Sequence, residues 1–273
     1  MGVTFPLRFT IVTPVLNGMP WLPAAVTSVA RQQDGADLEV EHIVVDGGST
    51  DGSREWLETH QDLGFACVFE PDHGQTDALI TGFRRATGDL LAWLNADDML
   101  EPGALRRIAA AFEANPDAVL VAGACLVMDA DGRLQTLMPT PPVASFEGLL
   151  WNQANPPQPA TFVTAEAYRR VGGLDPRYDL AMDVDLWLKV ARIGRVMFLS
   201  DVVLARFRLH PKAKSVVGLT AAIREDFRIR RLYGMPLRSP AAYRLVSLGW
   251  VKPFLRPAKR TLQQVLRATM RRI

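Results

Sequence analysis

A run of apolar residues that ends in an amide and two carboxylates constrains this chain more than any other stretch. Residues 90–94 are apolar, and Asn95, Asp97 and Asp98 follow them directly. A short apolar run of this kind predicts a buried strand of a parallel sheet, and such sheets bind ligands at the carboxyl ends of their strands. Two neighbouring carboxylates repel each other unless a positive charge lies beside them, and a divalent cation supplies one. The alternative is that both carboxylates start a helix whose first turn contains Pro102.

Two earlier stretches repeat this pattern. Residues 10–15 and 41–46 are rich in β-branched residues, and each leads into turn residues and then into a helical pattern. Pro14 and Asn17 mark the exit of the first run, and Asp46 ends the second. A carboxylate at the end of an apolar strand needs a polar partner, so a purely structural role for Asp46 is the weaker interpretation. Three predicted strands thus direct polar ends toward one edge of a sheet.

These three segments resemble those of the family 2 inverting glycosyltransferases. Asn95-Ala96-Asp97 stands where that family carries its Asp-x-Asp metal motif. The resemblance implies an α/β protein of the GT-A class, which is Rossmann-like, with a mostly parallel central sheet flanked by helices. It also implies a nucleotide-sugar donor and a Mg²⁺ or Mn²⁺ cofactor held by Asp97.

The resemblance extends to the expected donor contacts. Residues 74–78 read Gly-Gln-Thr-Asp-Ala, which is similar to a subgroup of the family with Gly-Gln-x-Asp-Ala rather than the commoner Ala-Arg-Asn. The carboxylate that matches Asp46 reads the nucleobase edge in that family. Asp77 touches the donor in the favoured interpretation, because it joins the same polar rim, and the alternative is that it caps its own helix. The donor contacts expected from the resemblance are Pro14, Asn17, Asp46, Gln75, Asp77, Asn95 and Asp97.

A second acidic group lies farther along the chain. Asp183 and Asp185 come just before apolar residues at helical spacing, where both could simply stabilise the helix dipole. The family places a Glu-Asp pair at such a helix, and its Asp is the general base. Asp183 matches that Asp, whereas Met182 replaces the Glu. Inversion requires a base that takes the proton of the acceptor hydroxyl as its oxygen attacks, and one carboxylate can do this.

The remaining site predictions concern the later part of the chain. Residues 210–215 are similar to a His-x-x-x-Lys-Ser stretch that folds over the diphosphate in related transferases, so His210 is a predicted metal or phosphate contact. A His before Pro at a strand end is otherwise a surface turn residue. The predicted acceptor contacts are Gln158, Tyr178 and Trp187.

The small net charge of +2 conceals a segregation of charge. From Phe227 to the end the chain holds twelve Lys or Arg and no Asp or Glu, so the first 226 residues carry 19 basic and 29 acidic side chains. Helical patterns cover residues 216–233, 240–251 and 257–273, and the last is basic and amphipathic. This pattern favours an anionic membrane surface as a partner, although the apolar face could instead pack on the body.

These observations predict a domain organisation and a location. Residues 1–215 form the GT-A catalytic domain, with a nucleotide-sugar half of about 1–138 and an acceptor half of about 143–215. Residues 216–273 form a basic, helical C-terminal appendage. No run approaches the roughly 20 apolar residues that span a bilayer, and no secretory signal is recognisable. We therefore expect a cytoplasmic protein, peripherally associated with the inner face of the membrane.

The function predicted from the sequence is that of a metal-dependent inverting hexosyltransferase. It would move a sugar from a UDP- or dTDP-linked donor to a hydroxyl of a glycan or lipid-linked acceptor, in cell-surface polysaccharide synthesis. A nucleotidyltransferase should carry a Gly-rich loop with a basic residue near its N-terminus, and residues 17–20 are Asn-Gly-Met-Pro. A nucleic-acid-binding protein would use the basic tail but would leave the acidic residues unexplained, so no nucleic acid is expected as a partner.

Overall fold

A computed structural model describes residues 7–33, 38–151, 155–239, 242, 245 and 246. Within them, nine strands form one sheet with helices on both faces. The strands are β1 (Arg8–Val15), β2 (Glu39–Asp46), β3 (Phe65–Phe69), β4 (Leu90–Trp93), β5 (Met99–Leu100), β6 (Ala118–Met128), β7 (Leu134–Met138), β8 (Thr161–Thr164) and β9 (Arg195–Arg208). The helices are α1 (Leu22–Ala30), α2 (Ser53–Thr59), α3 (Gln75–Phe83), α4 (Ala104–Ala114), α5 (Phe146–Trp151), α6 (Ala165–Arg170), α7 (Met182–Ala191), α8 (Lys214–Val217) and α9 (Leu219–Leu232). Short 3-10 turns span Gln61–Leu63 and Gln158–Ala160.

The sheet is mostly parallel, as the sequence predicts. Its order is β3-β2-β1-β4-β8-β6-β9-β5, and β7 pairs with β6. The four strands from β3 to β4 are parallel, and so are β6 and β9. Strand β8 runs antiparallel to both of its neighbours, and β5 runs antiparallel to β9. The carboxyl ends of β1, β2 and β4 therefore lie at the same edge of the sheet.

The apolar run of β4 is buried on both faces because successive side chains of a strand point in opposite directions. Leu91 and Trp93 pack in one core cluster with residues of α3 and α7. Leu90 and Ala92 pack in the other with residues of α1 and α4. This burial on both faces explains why the apolar residues of β4 are continuous rather than alternating with polar ones. Polar groups of this segment therefore reach the carboxyl edge of the sheet only after Trp93.

The first predicted C-terminal helix is present but divided. The chain forms α8 and α9 with Gly218 between them, and an added Cβ at Gly218 would meet a side-chain carbon of Leu180 at 3.1 Å. Residues 242 and 245 belong to the same core cluster as α7. The predicted helices at 240–251 and 257–273 otherwise lie outside the described residues. No helix in the described part of the chain is long and apolar enough to cross a membrane.

Candidate active site

A cleft of about 1240 Å³ opens at the carboxyl edge of the sheet. The ends of β1 and β4, the start of α7 and the loop after β9 form its walls. Most of the side chains singled out in the sequence line it, although they are far apart along the chain. They are Pro14, Asn17, Gln75, Asn95, Asp97, Gln158, Asp183 and His210.

Asp97 and His210 meet in this cleft. Oδ2 of Asp97 lies 2.9 Å from Nε2 of His210, and the ring of His210 lies against that of Trp21 with centroids 4.1 Å apart and the ring planes tilted by 38°. Arg208, at the end of β9, donates from Nε to the backbone carbonyl of Asp97 at 3.0 Å. Neither Asp97 nor Asp98 caps a helix, because α4 begins only at Ala104. The helix-start alternative for the two carboxylates is therefore wrong.

The two adjacent carboxylates have different surroundings. Asp98 is fully buried and accepts hydrogen bonds from the backbone N–H of Arg208 at 2.9 Å and from Nδ2 of Asn95 at 3.2 Å. Burial raises the pKa of Asp98 well above its usual value, and the neighbouring charge of Asp97 adds to the effect. Asp98 thus joins β4 to β9, whereas Asp97 keeps an exposed edge in the cleft.

The donor atoms of Asp97 and His210 are compatible with a divalent cation. Both residues line the cleft, and Oδ2 of Asp97 and Nε2 of His210, which are hydrogen-bonded to each other, are atoms that can coordinate a metal ion. A carboxylate suits Mg²⁺ or Mn²⁺, whereas an imidazole favours a transition metal. Among the described residues no three His, Cys, Asp or Glu side chains converge on one point. Two protein ligands would therefore leave the other positions to donor oxygens and water.

Three side-chain amides that line the cleft form a chain of hydrogen bonds. Gln75 donates from Nε2 to Oδ1 of Asn95 at 2.6 Å, and Asn95 donates from Nδ2 to Oε1 of Gln158 at 3.2 Å. Gln158 in turn donates to the carbonyl of Trp93 at 2.8 Å. Lys214 reaches Oε1 of Gln75 at 3.3 Å. This chain fixes the orientation of three predicted contacts before any ligand arrives.

Asp46 supports residues that line the cleft but does not line it itself. Its side chain is buried and accepts hydrogen bonds from the backbone N–H of Ser49 at 3.1 Å and from its Oγ at 2.5 Å. The backbone N–H of Asn17 donates to that Oγ at 2.8 Å, and Oδ1 of Asn17 accepts from the N–H of Thr50 at 2.8 Å. Asn17 has a φ of 56°, which Asn tolerates better than most residues. Asp46 thereby holds Asn17 in the cleft lining without itself lining it.

Asp77 also lies outside the cleft lining. Its Oδ2 accepts a hydrogen bond from the backbone N–H of His73 at 3.1 Å. The carboxylate thus fastens the turn that enters α3, the helix in which it lies. This contact matches the capping alternative stated for Asp77.

Two of the three predicted acceptor contacts lie outside the lining as well. The carbonyl of Tyr178 accepts a hydrogen bond from Oγ1 of Thr76 at 2.7 Å, and its half-buried ring lies 5.7 Å from the guanidinium of Arg177. Trp187 is 1% exposed and stacks on Trp93 at 5.4 Å. A ring buried this deeply has no surface to offer an acceptor, so the prediction for Trp187 is corrected: it packs in the core because its helical spacing places it against β4.

Asp183 and Asp185 face different environments. Asp183 lines the cleft, and its Oδ1 accepts the backbone N–H of Val184 at 2.9 Å. Burial raises the pKa of Asp183 to about 6, with a smaller contribution in the same direction from the charge of Asp226. Asp185 instead points into the core, 2.6 Å from Nζ of Lys189. Of the two carboxylates, only that of Asp183 can therefore contact a ligand.

Sequence reasoning missed Arg208 and Trp21, which support the Asp97–His210 pair. Lys214, which belongs to the stretch 210–215 singled out in the sequence, pairs with Asp179 at 2.8 Å in the cleft lining. Arg208 is the last residue of β9 and precedes His210 by two positions, which is a weak signal. No local pattern marks Trp21, because its contacts come from segments more than 100 residues away.

The fold and cleft can be compared with known proteins. The structure matches that of a mannosyltransferase from Pyrobaculum calidifontis, solved with GDP-Man and Mn²⁺, with a TM-score of 0.63 and 22% identity over 97% of this chain and 76% of the other. This likeness establishes a GT-A fold. The profile of glycosyl transferase family 2 matches residues 10–161, more than half of the chain. The chain belongs to that family.

Relatives agree with this assignment. A PGL/p-HBAD biosynthesis glycosyltransferase of Mycobacterium tuberculosis is 38% identical over 42% of this chain and 45% of its own length. An uncharacterized glycosyltransferase of the same species is 28% identical over 92% of this chain and 97% of its own. The matched part spans only between a third and a half of the length of the first curated relatives.

Proposed function

We propose that this protein transfers a sugar from a nucleoside diphosphate sugar to an acceptor hydroxyl with inversion at the anomeric carbon. The observation that carries the proposal is the convergence of two chemical groups on one cleft. The Asp97–His210 pair lies on one wall, and Asp183 lies at the start of α7 on another. A group for the leaving diphosphate and a base for the acceptor are the two requirements of a direct displacement.

The donor binds along the ends of β1 and β4. Pro14, Asn17, Gln75 and Asn95 line this part of the cleft, with Asp46 and Asp77 as supports for the loops that carry them. Asp97 and His210 would hold a Mn²⁺ or Mg²⁺ ion here, and the pairing of a carboxylate with an imidazole in the cleft supports this assignment. When bound, the cation offsets the negative charge that develops on the leaving diphosphate. The Mn²⁺ and GDP-Man complex of the Pyrobaculum mannosyltransferase supports the same class of donor.

Asp183 is the general base of the reaction. A carboxyl with a pKa of about 6 is mostly ionised at pH 7, yet it is more basic than an ordinary aspartate. It accepts the proton of the acceptor hydroxyl as the oxygen attacks. Leu180, Met182 and Trp93 add apolar surface to the cleft that Asp183 lines.

Donor and acceptor are assigned at the level of chemical class. We take UDP and dTDP as the first nucleotides to test and a glycan or lipid-linked hydroxyl as the acceptor, with Gln158 and Tyr178 on the acceptor side. A role in cell-surface polysaccharide synthesis and peripheral attachment to the inner face of the membrane are part of the proposal. The basic residues after Phe227 support the attachment.

A thermal-shift screen with UDP, dTDP and GDP, each with and without Mn²⁺ or Mg²⁺, tests the donor assignment. A ligand at 100 times its Kd stabilises the fold by about 2.7 kcal/mol, which raises the melting temperature of a chain of this size by roughly 5–10 °C. The metal-dependent part of this shift should vanish in Asp97→Ala. Asp62→Ala, which removes an exposed carboxylate from the turn before β3, is the matched control. An equal shift in Asp97→Ala and in the wild type would refute the assignment.

A further inference from the structure

A carboxylate from α9 binds the chain just before the proposed catalytic base. Oε2 of Glu225 accepts hydrogen bonds from the backbone N–H groups of Leu180 at 2.8 Å and Ala181 at 2.6 Å. Its Oε1 lies 3.4 Å from the N–H of Asp179. These three residues lead directly into α7, whose N-cap residue, Ala181, has no side chain that could cap the helix. Glu225 therefore supplies from another helix the acceptors that the sequence around Ala181 lacks.

This contact bears on Asp183, which lies two residues beyond Ala181. Within its own segment the carboxylate of Asp183 accepts the backbone N–H of Val184, at the first turn of α7, so its place in the cleft depends on how the entry to α7 is held. Met182 carries no charged group that could fix this entry. Hydrogen bonds to an ionised carboxylate are shorter and stronger than those between neutral groups. Glu225 is thus a charged restraint on the entry of α7, beside the ion pair of Lys214 with Asp179 at 2.8 Å.

Helix α9 is itself anchored to the body, so its position is well defined. Arg230 is fully buried and donates to the carbonyls of Leu149 and Leu150 and to Oδ1 of Asn155. Arg230 also pairs with Asp226 on the same helix at 2.5 Å. Directly after α9, the hydroxyl of Tyr233 donates to Asp185 of α7 at 2.9 Å. These contacts hold the C-terminal half of α9 against the body, and Glu225 directly precedes Asp226, the first residue of that half.

We propose that Glu225 is a positioning residue for Asp183, and that α9 is therefore part of the acceptor side of the active site. The proposal rests on the proposed function, because it assigns Glu225 a role in the same reaction. Glu225 touches neither substrate. It acts through the backbone of residues 179–181, which sets where the Asp183 carboxylate meets the acceptor hydroxyl.

Hydrogen–deuterium exchange of the full chain tests the contact without any substrate. In Glu225→Gln the amide group replaces a charged acceptor with a neutral one, so the amides of Leu180 and Ala181 should exchange roughly 10–100-fold faster. Glu225→Asp keeps the charge on a shorter side chain and should restore part of the protection. Glu113→Gln, the same chemical change at an exposed position of α4, is the control and should exchange like the wild type. Unchanged exchange in Glu225→Gln would overturn the proposal.

Kinetics then distinguish positioning from a purely structural role. Turnover of UDP-GlcNAc or GDP-mannose, whichever the wild type cleaves, should fall about tenfold or more in kcat in Glu225→Gln. The Kd for UDP or GDP with Mn²⁺ should stay within about twofold, because the donor contacts lie elsewhere, and Glu225→Asp should recover part of kcat. Faster exchange with an unchanged kcat would overturn the positioning role. If Glu225→Gln fails to fold, the same two measurements on Glu225→Asp decide. If the wild type shows no metal-dependent nucleotide binding, the proposed function fails, while the exchange result still reports on the contact.

Discussion

The substitution Asp183→Asn should abolish most of the activity and at the same time stabilise the fold. The amide cannot accept a proton, and general-base catalysis contributes typically 10²–10⁴-fold, so turnover should fall by about that factor. Its Oδ1 can still accept the N–H of Val184. Nucleotide binding should be unchanged, because Asp183 lies in α7 and has no contact with the Asp97–His210 pair among the described hydrogen bonds.

The effect on stability follows from the pKa of Asp183. A carboxyl whose pKa rises from 3.8 in the unfolded chain to about 6 in the fold binds its proton more tightly when folded. Ionisation of Asp183 therefore lowers the free energy of unfolding. This loss is absent below about pH 4, grows between about pH 4 and 6, and reaches at most about 3 kcal/mol above pH 6. Asparagine has no ionisable group, so the variant does not lose this stability. Asp183→Asn should accordingly raise the free energy of unfolding at pH 8 and leave it nearly unchanged at pH 4.

Asp185→Asn is the matched control, and it should lower the stability of the fold while leaving turnover unchanged. Asp185 is buried, pairs with Lys189 at 2.6 Å and accepts the hydroxyl of Tyr233 at 2.9 Å. Removing its charge should cost roughly 1–3 kcal/mol of stability while folded molecules retain their turnover. Urea unfolding at pH 4 and 8 and donor turnover measure the two quantities for each variant. Similar losses of turnover in both variants, or a destabilised Asp183→Asn at pH 8, would refute the reasoning.

Three further predictions follow from the same contacts. The value of kcat/KM should rise with pH through an apparent pKa of about 6, because Asp183 must lose its proton to act as a base; a profile that is flat from pH 5 to 8 would exclude this role. Trp187→Ala should cost about 3–5 kcal/mol of stability in urea unfolding, as expected for a core ring, while folded molecules bind nucleotide normally. Removal of residues 257–273 should release the protein from anionic vesicles in a flotation assay and leave nucleotide binding intact, whereas loss of both would mean that this segment packs on the body.

The sequence predicts the strand ends of this fold well because burial on both faces leaves a strong local signal. The continuous apolar run before Asn95 and the Gly-rich turn after Asp46 both identify strands whose neighbours in space could be inferred from parallel topology. The sequence predicts less well the direction in which a side chain points. Asp46 and Asn17 lie at adjacent strand ends, yet only Asn17 lines the cleft, because Asp46 binds its own turn through Ser49.

Residues that come together from distant segments could not be found in this way. Trp187 has the helical spacing that the sequence analysis recognised, but that spacing was better evidence for the core than for an acceptor contact. Arg208, Trp21 and Glu225 act through contacts that join segments 45 to more than 100 residues apart. Their roles depend on register and packing, which a single sequence does not encode locally.

The C-terminal region shows how charge alone can mislead. Arg230 belongs to the run of twelve basic residues that the sequence analysis assigned to a separate appendage, yet its side chain is fully buried and binds carbonyls of α5. A cationic side chain is buried only where carboxylates and carbonyls compensate it, and Asp226 supplies the charge. The basic run therefore begins inside the body. The next basic residue, Arg231, also donates to the carbonyl of a buried residue, Met235, so in the described part of the chain basic side chains still find partners in the body well beyond residue 216.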